Sequence, residues 1–169
     1  MLDLRLRPVR LQDEAVVRAG QDAMVGEDFV FALGLEAEMT FEEYVAALDL
    51  HRRGLELPPD RVPATFLLAE VAGEVVGRTS VRHELNDRLL AEGGHIGYGV
   101  LAGHRRRGYA REILRQSLVI ARSYGADPVL VTCDDDNPGS IAIIEANGGR
   151  LDADQPYAGT APQRRYWIA

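Results

Sequence analysis

Residues 100–114 read VLAGHRRRGYAREIL. A strand ends at Val100 and Leu101. Three arginines, Arg105, Arg106 and Arg107, then lead through Gly108, Tyr109 and Ala110 into an amphipathic helix. The first amides of a helix lack an internal acceptor and sit at its positive dipole end, so they attract anions. Gly108 lets the main chain approach a ligand closely, and Ala110 is small enough to allow the same. Arginines add charge-assisted donors that match phosphate oxygens. Three arginines in isolation are usually a solvated turn. The context of strand, R-x-x-G-x-A and helix points instead to an anion site.

Outward from this stretch, the helix runs from about 108 to 124. Ala110, Ile113, Leu114, Ser117, Leu118 and Ala121 lie on one face, and Gly125 stops it. DPVLVTCD (127–134) reads as a buried strand. Asn137 and Pro138 form an N-cap and first-turn pair for a helix reaching about Asn147. Short strands near 149–154 and 163–168 finish the chain. On the N-terminal side, ATFLLAEV (64–71), EVVGRTSVRHEL (74–85) and GHIGYGVL (94–101) are strand-like, and Ala72-Gly73 makes the first two a hairpin.

Further upstream, LDLRLRPV alternates from Leu2 to Leu6 as a strand. A helix over 10–23 is predicted to bury Leu11, Ala15, Val16 and Ala19. Residues 24–39 are ambiguous. Thr40 and Glu43 make a capping box for a second helix with a stripe of Phe41, Tyr44, Val45 and Leu48, stopped by Gly54. The order is β-α-α-β-β-β-α-β-α-β-β. Antiparallel strands followed by a β-α-β crossover predict a mixed, mostly antiparallel α/β (α+β) sheet with helices on both faces.

The 169 residues fit one domain, 1–169, and an apolar content of 46% is enough for a packed core. A net charge of −7 argues against nucleic-acid binding, which needs phosphate neutralisation. Cys133 is the single cysteine, so no intramolecular disulfide forms, which fits a cytoplasmic location. The N-terminal residues lack a signal-peptide run, and no apolar stretch is long enough for a membrane helix. All 19 basic residues are arginine. Glu27, Asp28, Glu36, Glu38, Glu42 and Glu43 make the N-terminal region acidic; they suit a cationic amine or simply form a solvated face.

Val100 to Ala110 resembles the acetyl-coenzyme A motif V-x5-R-x-x-G-x-G/A of the GNAT acyltransferase superfamily. CDDDNPGSIAIIEANGGRL (133–151) resembles that superfamily's second cofactor motif, with Asn137, Ser140, Gly148 and Gly149 at its marked positions. HELN (83–86) and GGHIGY (93–98) are similar to an uncharacterised prokaryotic subgroup. The resemblance implies that acetyl-CoA is the acyl donor and that no metal takes part. It places the pantetheine arm against main-chain groups around Val100 and Leu101. Amides from Arg105 through Arg106, Arg107, Gly108 and Tyr109 to Ala110 would hold the pyrophosphate. Asn137 and Ser140 would contact the cofactor, although Asn137 also reads simply as a helix cap. The strands at 94–101 and 127–134 are expected to splay, with Gly97 and Gly99 marking a bulge.

The implied reaction is direct attack of a primary amine, on a small molecule or peptide, upon the thioester. A lysine-like amine has a pKa of about 10.4, so a base is useful. Glu84 and His95 are the candidates, each with a structural alternative. His95 shares a strand face with Gly97 and Gly99 and is expected to have space around it. Many GNAT enzymes carry a tyrosine as acid where this chain has Ile144. Tyr98 is the available substitute if it faces the cleft. A non-catalytic acyl-CoA sensor of the same fold is the competing reading. No membrane partner is expected, and a homodimer is allowed. Cys133 reads as a small buried hydrophobe.

Other patterns fail on context. Gly97-x-Gly99-x-x-Ala102 lies within a strand, not in a strand-to-helix turn. A calcium-loop match from Asp134 to Glu145 places Pro138 at a ligand position. The four histidines lack zinc-like spacing.

Overall fold

The computed structural model describes residues 3–27, 29–155, 157–158 and 162–169, so Leu2 and Asp28 lie outside the described residues. Among the described residues there are five α-helices: α1 (Glu14–Ala23), α2 (Phe41–Arg52), α3 (Asp87–Ala91), α4 (Tyr109–Ser123) and α5 (Pro138–Ala146). The strands β1 (Leu4–Arg7), β2 (Ala64–Val71), β3 (Glu74–Arg82) and β4 (Ile96–Val100) pair in that order, all antiparallel. A second antiparallel sheet holds β5 (Val129–Asp134), β6 (Arg150–Leu151), β7 (Tyr157–Ala158) and β8 (Gln163–Ile168), with β8 between β5 and β6. The predicted order therefore holds, with α3 and the two-residue β7 added.

Local chemistry explains where the elements begin and end. Thr40 accepts from the Glu43 amide at 3.2 Å, and Glu43 accepts from the Thr40 amide at 2.8 Å, closing the capping box of α2. Asn137 accepts from the Ser140 amide at 3.0 Å and caps α5, with Pro138 in its first turn. The β2–β3 pairing reaches one residue past Arg82, where the His83 amide donates to the Pro63 carbonyl at 2.8 Å, and Pro63 has no amide to return. Asn86 then caps α3 through the Leu89 amide at 2.9 Å.

The helices cover both faces of the first sheet. Val17, Phe41 and Tyr44 from α1 and α2 pack with Phe66, Leu68 and Val75 on one face. Ile113 of α4 packs with Leu4, Ala69, Val76 and Val100 on the other. Further along α4, Leu114, Leu118 and Ala121 join Val81, Ile96, Val129, Val131 and Ile144, so this helix spans both sheets.

Two predicted details are corrected. The face α1 buries is Asp13, Val17, Gly20 and Met24, while Leu11 is 56% exposed. Asp13 is drawn inward by a two-pronged pair with buried Arg7, at 2.7 and 2.8 Å, and the Phe31 ring packs where a Gly20 Cβ would sit. The bulge falls in β3 at Val76, opposite the Ala69–Glu70 step of β2, and β4 pairs with β3 in unbroken register. Gly97 and Gly99 serve another purpose: a Cβ at Gly99 would lie 2.5 Å from Phe29, and one at Gly97 would press on the Arg82 guanidinium.

The two sheets meet at one point. Gly94 bridges Val131, and the His95 amide donates to the Leu130 carbonyl at 2.8 Å. The Leu130 amide donates in return to Nδ1 of His95 at 2.9 Å. Past this tie β4 and β5 do not pair, so the expected splay is present. Among the described residues no helix is long and apolar enough to cross a membrane.

Burial holds His95 and His83 below the usual histidine range. A histidine kept neutral in the fold stabilises it fully above the unfolded pKa of about 6.5 and loses that stabilisation as pH falls through the depressed folded value. Denaturant midpoints should therefore drop as pH falls below about 6.5. His95→Ala should remove part of that slope and cost about 1–3 kcal/mol at neutral pH by stranding the Leu130 amide. Urea titrations from pH 5 to 8 measure both; an unchanged slope would show that the tie is not built this way.

Candidate active site

Between the diverging edges of β4 and β5 lies a cleft of about 510 Å³. The amide of Leu101 pairs with the Val76 carbonyl at 3.0 Å, and Val100 stands opposite Gly77. That register turns the main-chain groups of Gly97 and Gly99 toward β3. It leaves those of Ile96, Tyr98 and Val100 facing the β5 side. Consistently, the Val100 carbonyl accepts from Nε of Arg105 at 3.1 Å. β4 thus presents an unfilled strand edge, the kind of surface that an extended amide-bearing chain can join.

The edge leads into the arginine loop. A single 3₁₀ turn, Ala102–His104, precedes left-handed backbone at Arg106 (φ 63°) and Gly108 (φ 82°), which swings the chain into α4. The turn leaves the amides from Arg106 to Arg111 with no acceptor among the described residues. This is a concave row of donors at the positive end of a four-turn helix. Arg105 is tied back to Glu27 and to the Val100 carbonyl. Arg107 reaches the Gly103 carbonyl at 3.2 Å, and neither it nor Arg106 has a carboxylate partner among the described residues. Both are exposed, as is Gly108, while Tyr109 and Ala110 are partly buried against the core.

Tyr98, Asn137 and Ser140 come together on the cleft wall, with Thr132 and Cys133. The Tyr98 hydroxyl is buried beside the Ser140 side chain, without a hydrogen bond of ordinary length and angle among the described residues. Burial drives its pKa well above the usual phenol range, so the proton stays on. The Asn137 carbonyl oxygen is engaged by its own helix cap, leaving its side-chain amide toward the cleft. Burial pushes the Cys133 thiol up to about 11, which keeps it an inert hydrophobe. Ile144 is fully buried in the core and supplies no donor.

The other predicted residues sit elsewhere. His95 is 7% exposed, and its Nδ1 is committed to the inter-sheet tie, so the expected space around it is absent. Glu84 lies on an exposed bend after β3 and does not line the cleft. Val100, Leu101 and the Arg105–Ala110 loop continue beyond the end of the cleft rather than lining it. On the opposite face of β4, Phe29, Arg82 and Arg88 line the cleft's second mouth, and sequence reading missed all three. Arg78, Ser80 and Arg82, polar at alternating positions of one strand, were the available signal. No group of three or more His, Cys, Asp or Glu among the described residues could hold a metal ion.

A family model described as an acetyltransferase (GNAT) domain matches residues 3–150. Solved structures share the fold. YncA from Salmonella typhimurium, with its cofactor acetyl-CoA, superposes with a TM-score of 0.64 at 16% identity, over 98% of this chain and 92% of that one. RimJ from Mycobacterium smegmatis, in complex with CoA-disulfide, gives 0.65 at 19% identity, over 97% and 79%. Spermidine N-acetyltransferase from Vibrio cholerae, with CoA and spermine, gives 0.60 at 14% identity, over 98% and 93%. A search of curated proteins by sequence returned no match. With the model spanning nearly the whole chain, the protein belongs to the GNAT acetyltransferase family.

Proposed function

We propose that this protein acetylates a primary amine, taking the acetyl group from acetyl-CoA bound along the open edge of β4. The observation that carries this reading is the continuity of two unfilled donor rows. The outward amides of Tyr98 and Val100 run directly into the acceptor-free amides of Arg106 to Arg111. An extended pantetheine chain suits the first and a diphosphate suits the second. Acetyl-CoA supplies an activated thioester, whose C–S bond breaks as the C–N bond to the amine forms. Asn137 and Ser140 flank the arm from α5. The Val100 amide is the donor for charge developing on the carbonyl oxygen.

Tyr98 is the group we assign to the departing thiolate. Tyr98 lines the cleft, and its buried hydroxyl keeps its proton beside the Ser140 side chain. It takes the part left vacant by Ile144. The amine's own proton leaves to solvent through the opposite mouth. His95, held neutral and bound to Leu130, positions β4 against β5 and takes no part in the transfer.

Gly108→Val should weaken acetyl-CoA binding about tenfold or more by calorimetry, because a side chain there is strained and blocks the amide row. Gly103→Ala, with open space around it, should leave the affinity unchanged. Equal affinities in the two folded variants would refute the loop assignment. Tyr98→Phe should lower kcat for thiol release by about tenfold or more, with acetyl-CoA affinity kept. It should change the melting temperature little, since the hydroxyl it removes makes no hydrogen bond of ordinary length among the described residues. Unchanged kcat would remove Tyr98 from the chemistry.

A further inference from the structure

The mouth opposite Tyr98 has its own electrostatic character. On β3, Arg78 and Arg82 project from the face that Gly97 and Gly99 leave bare on β4. Arg78 is 4% exposed; it stacks 4.0 Å over the Phe29 ring and donates to the carbonyls of Gly97 and Val30. Arg82 lines the cleft and donates through one nitrogen to the carbonyls of Gly93 and Gly94, at 3.0 and 3.3 Å. Its second terminal nitrogen has no acceptor among the described residues and lies beside Gly97. Neither guanidinium has a carboxylate partner among the described residues, whereas the other buried or half-buried arginines, Arg7, Arg164 and Arg165, each have one.

Burial and mutual repulsion push Arg78 down to about 9, and burial with the charges of Arg88 and Arg61 pushes Arg82 down to about 10. A buried cation beside a half-buried one, neither with a carboxylate among the described residues, is unfavourable in the fold alone. Arg88 adds a third positive group at the rim. The carboxylates that line the same cleft, Glu92 and Asp134, are exposed at its rim, and Asp134 is engaged by Gln163 at 3.0 Å. The floor is therefore positive and the acids lie outside it.

We propose that the acceptor is an amine that carries a carboxylate, an amino acid rather than a polyamine, and that Arg82 receives that carboxylate beside the Phe29 ring. This rests on the acetyltransferase reading and narrows it. Arg82 is a specificity-determining residue: its free nitrogen and the field of Arg78 hold the anion while the amine points through the sheet toward Tyr98. Of the N-terminal acids, Glu27 is occupied by Arg105, and Glu36, Glu38, Glu42 and Glu43 do not line the cleft.

The test compares free α-amino acids with their matching α-carboxamides, with spermidine as a third arm, by thiol release. Acetyl-CoA affinity is measured separately by calorimetry. The amides have the more readily deprotonated amine, so amine chemistry alone favours them. The wild-type protein should nevertheless prefer acids, by about tenfold or more in kcat/KM. Arg82→Gln should erase the preference by slowing acids only, with acetyl-CoA affinity intact. Arg88→Gln, at an exposed position, should reduce it partly and cannot be confused with misfolding. Amides or spermidine used as well as acids, equal losses on both in Arg82→Gln, or no acid acetylated while acetyl-CoA binds would each overturn the proposal. Failure of acetyl-CoA to bind at all would instead overturn the acetyltransferase reading.

Discussion

The Leu130 amide donates to His95 Nδ1 while the His95 amide donates to the Leu130 carbonyl, and beyond this exchange the edges of β4 and β5 stand apart. A single buried tie thus sets where two sheets join and where they part. Were the strands paired along their length, Tyr98 and Val100 would spend their outward amides on β5, and no strand-like ligand could enter. Were they untied, α4 would have no fixed platform, since it packs on β3 and β4 at one end and toward β5 at the other. The position of the donor loop at the start of α4 follows from this geometry.

The loop itself carries some conformational strain. Arg106 adopts left-handed backbone without being glycine, a state that costs of order 1 kcal/mol or more and persists where surroundings enforce it. Arg105 supplies that enforcement through Val100 and Glu27. Of the three arginines, one is thereby a strut and two remain outward, so the attraction for an anion comes first from oriented amides and second from side chains. The opposite mouth uses the reverse design, with side chains supplying the charge. Glycines on β4 provide the room that those side chains occupy.

Much of this was legible in the residues. Helix caps at Thr40, Asn137 and Gly125, the strand runs and the loop before α4 all depend on local chemistry, and they appear where local chemistry puts them. The face of α1 was misread because periodicity weighs apolarity, whereas Asp13 is buried by its pair with Arg7, a residue of another element. Gly97 and Gly99 suggested a bulge because a glycine in a strand signals only that something comes close, not what. Here it is Phe29 and Arg82. His95 passed for a base because a neighbouring glycine implies space, while its actual partner lies 35 residues away on β5. Arg78 and Arg82 escaped notice for the same reason: their significance lies in the lack of a carboxylate partner among the described residues, which only the assembled sheet reveals.

In the proposed binding mode, main-chain amides between Arg106 and Arg111 grip the diphosphate of coenzyme A while the outward edge of β4 holds its arm. A crystal structure with coenzyme A bound measures this directly. The account predicts phosphate oxygens within hydrogen-bonding distance of those amides and the pantetheine amides paired with Tyr98 and Val100. Coenzyme A bound elsewhere, with the loop amides facing water and β4's edge still open, would contradict it.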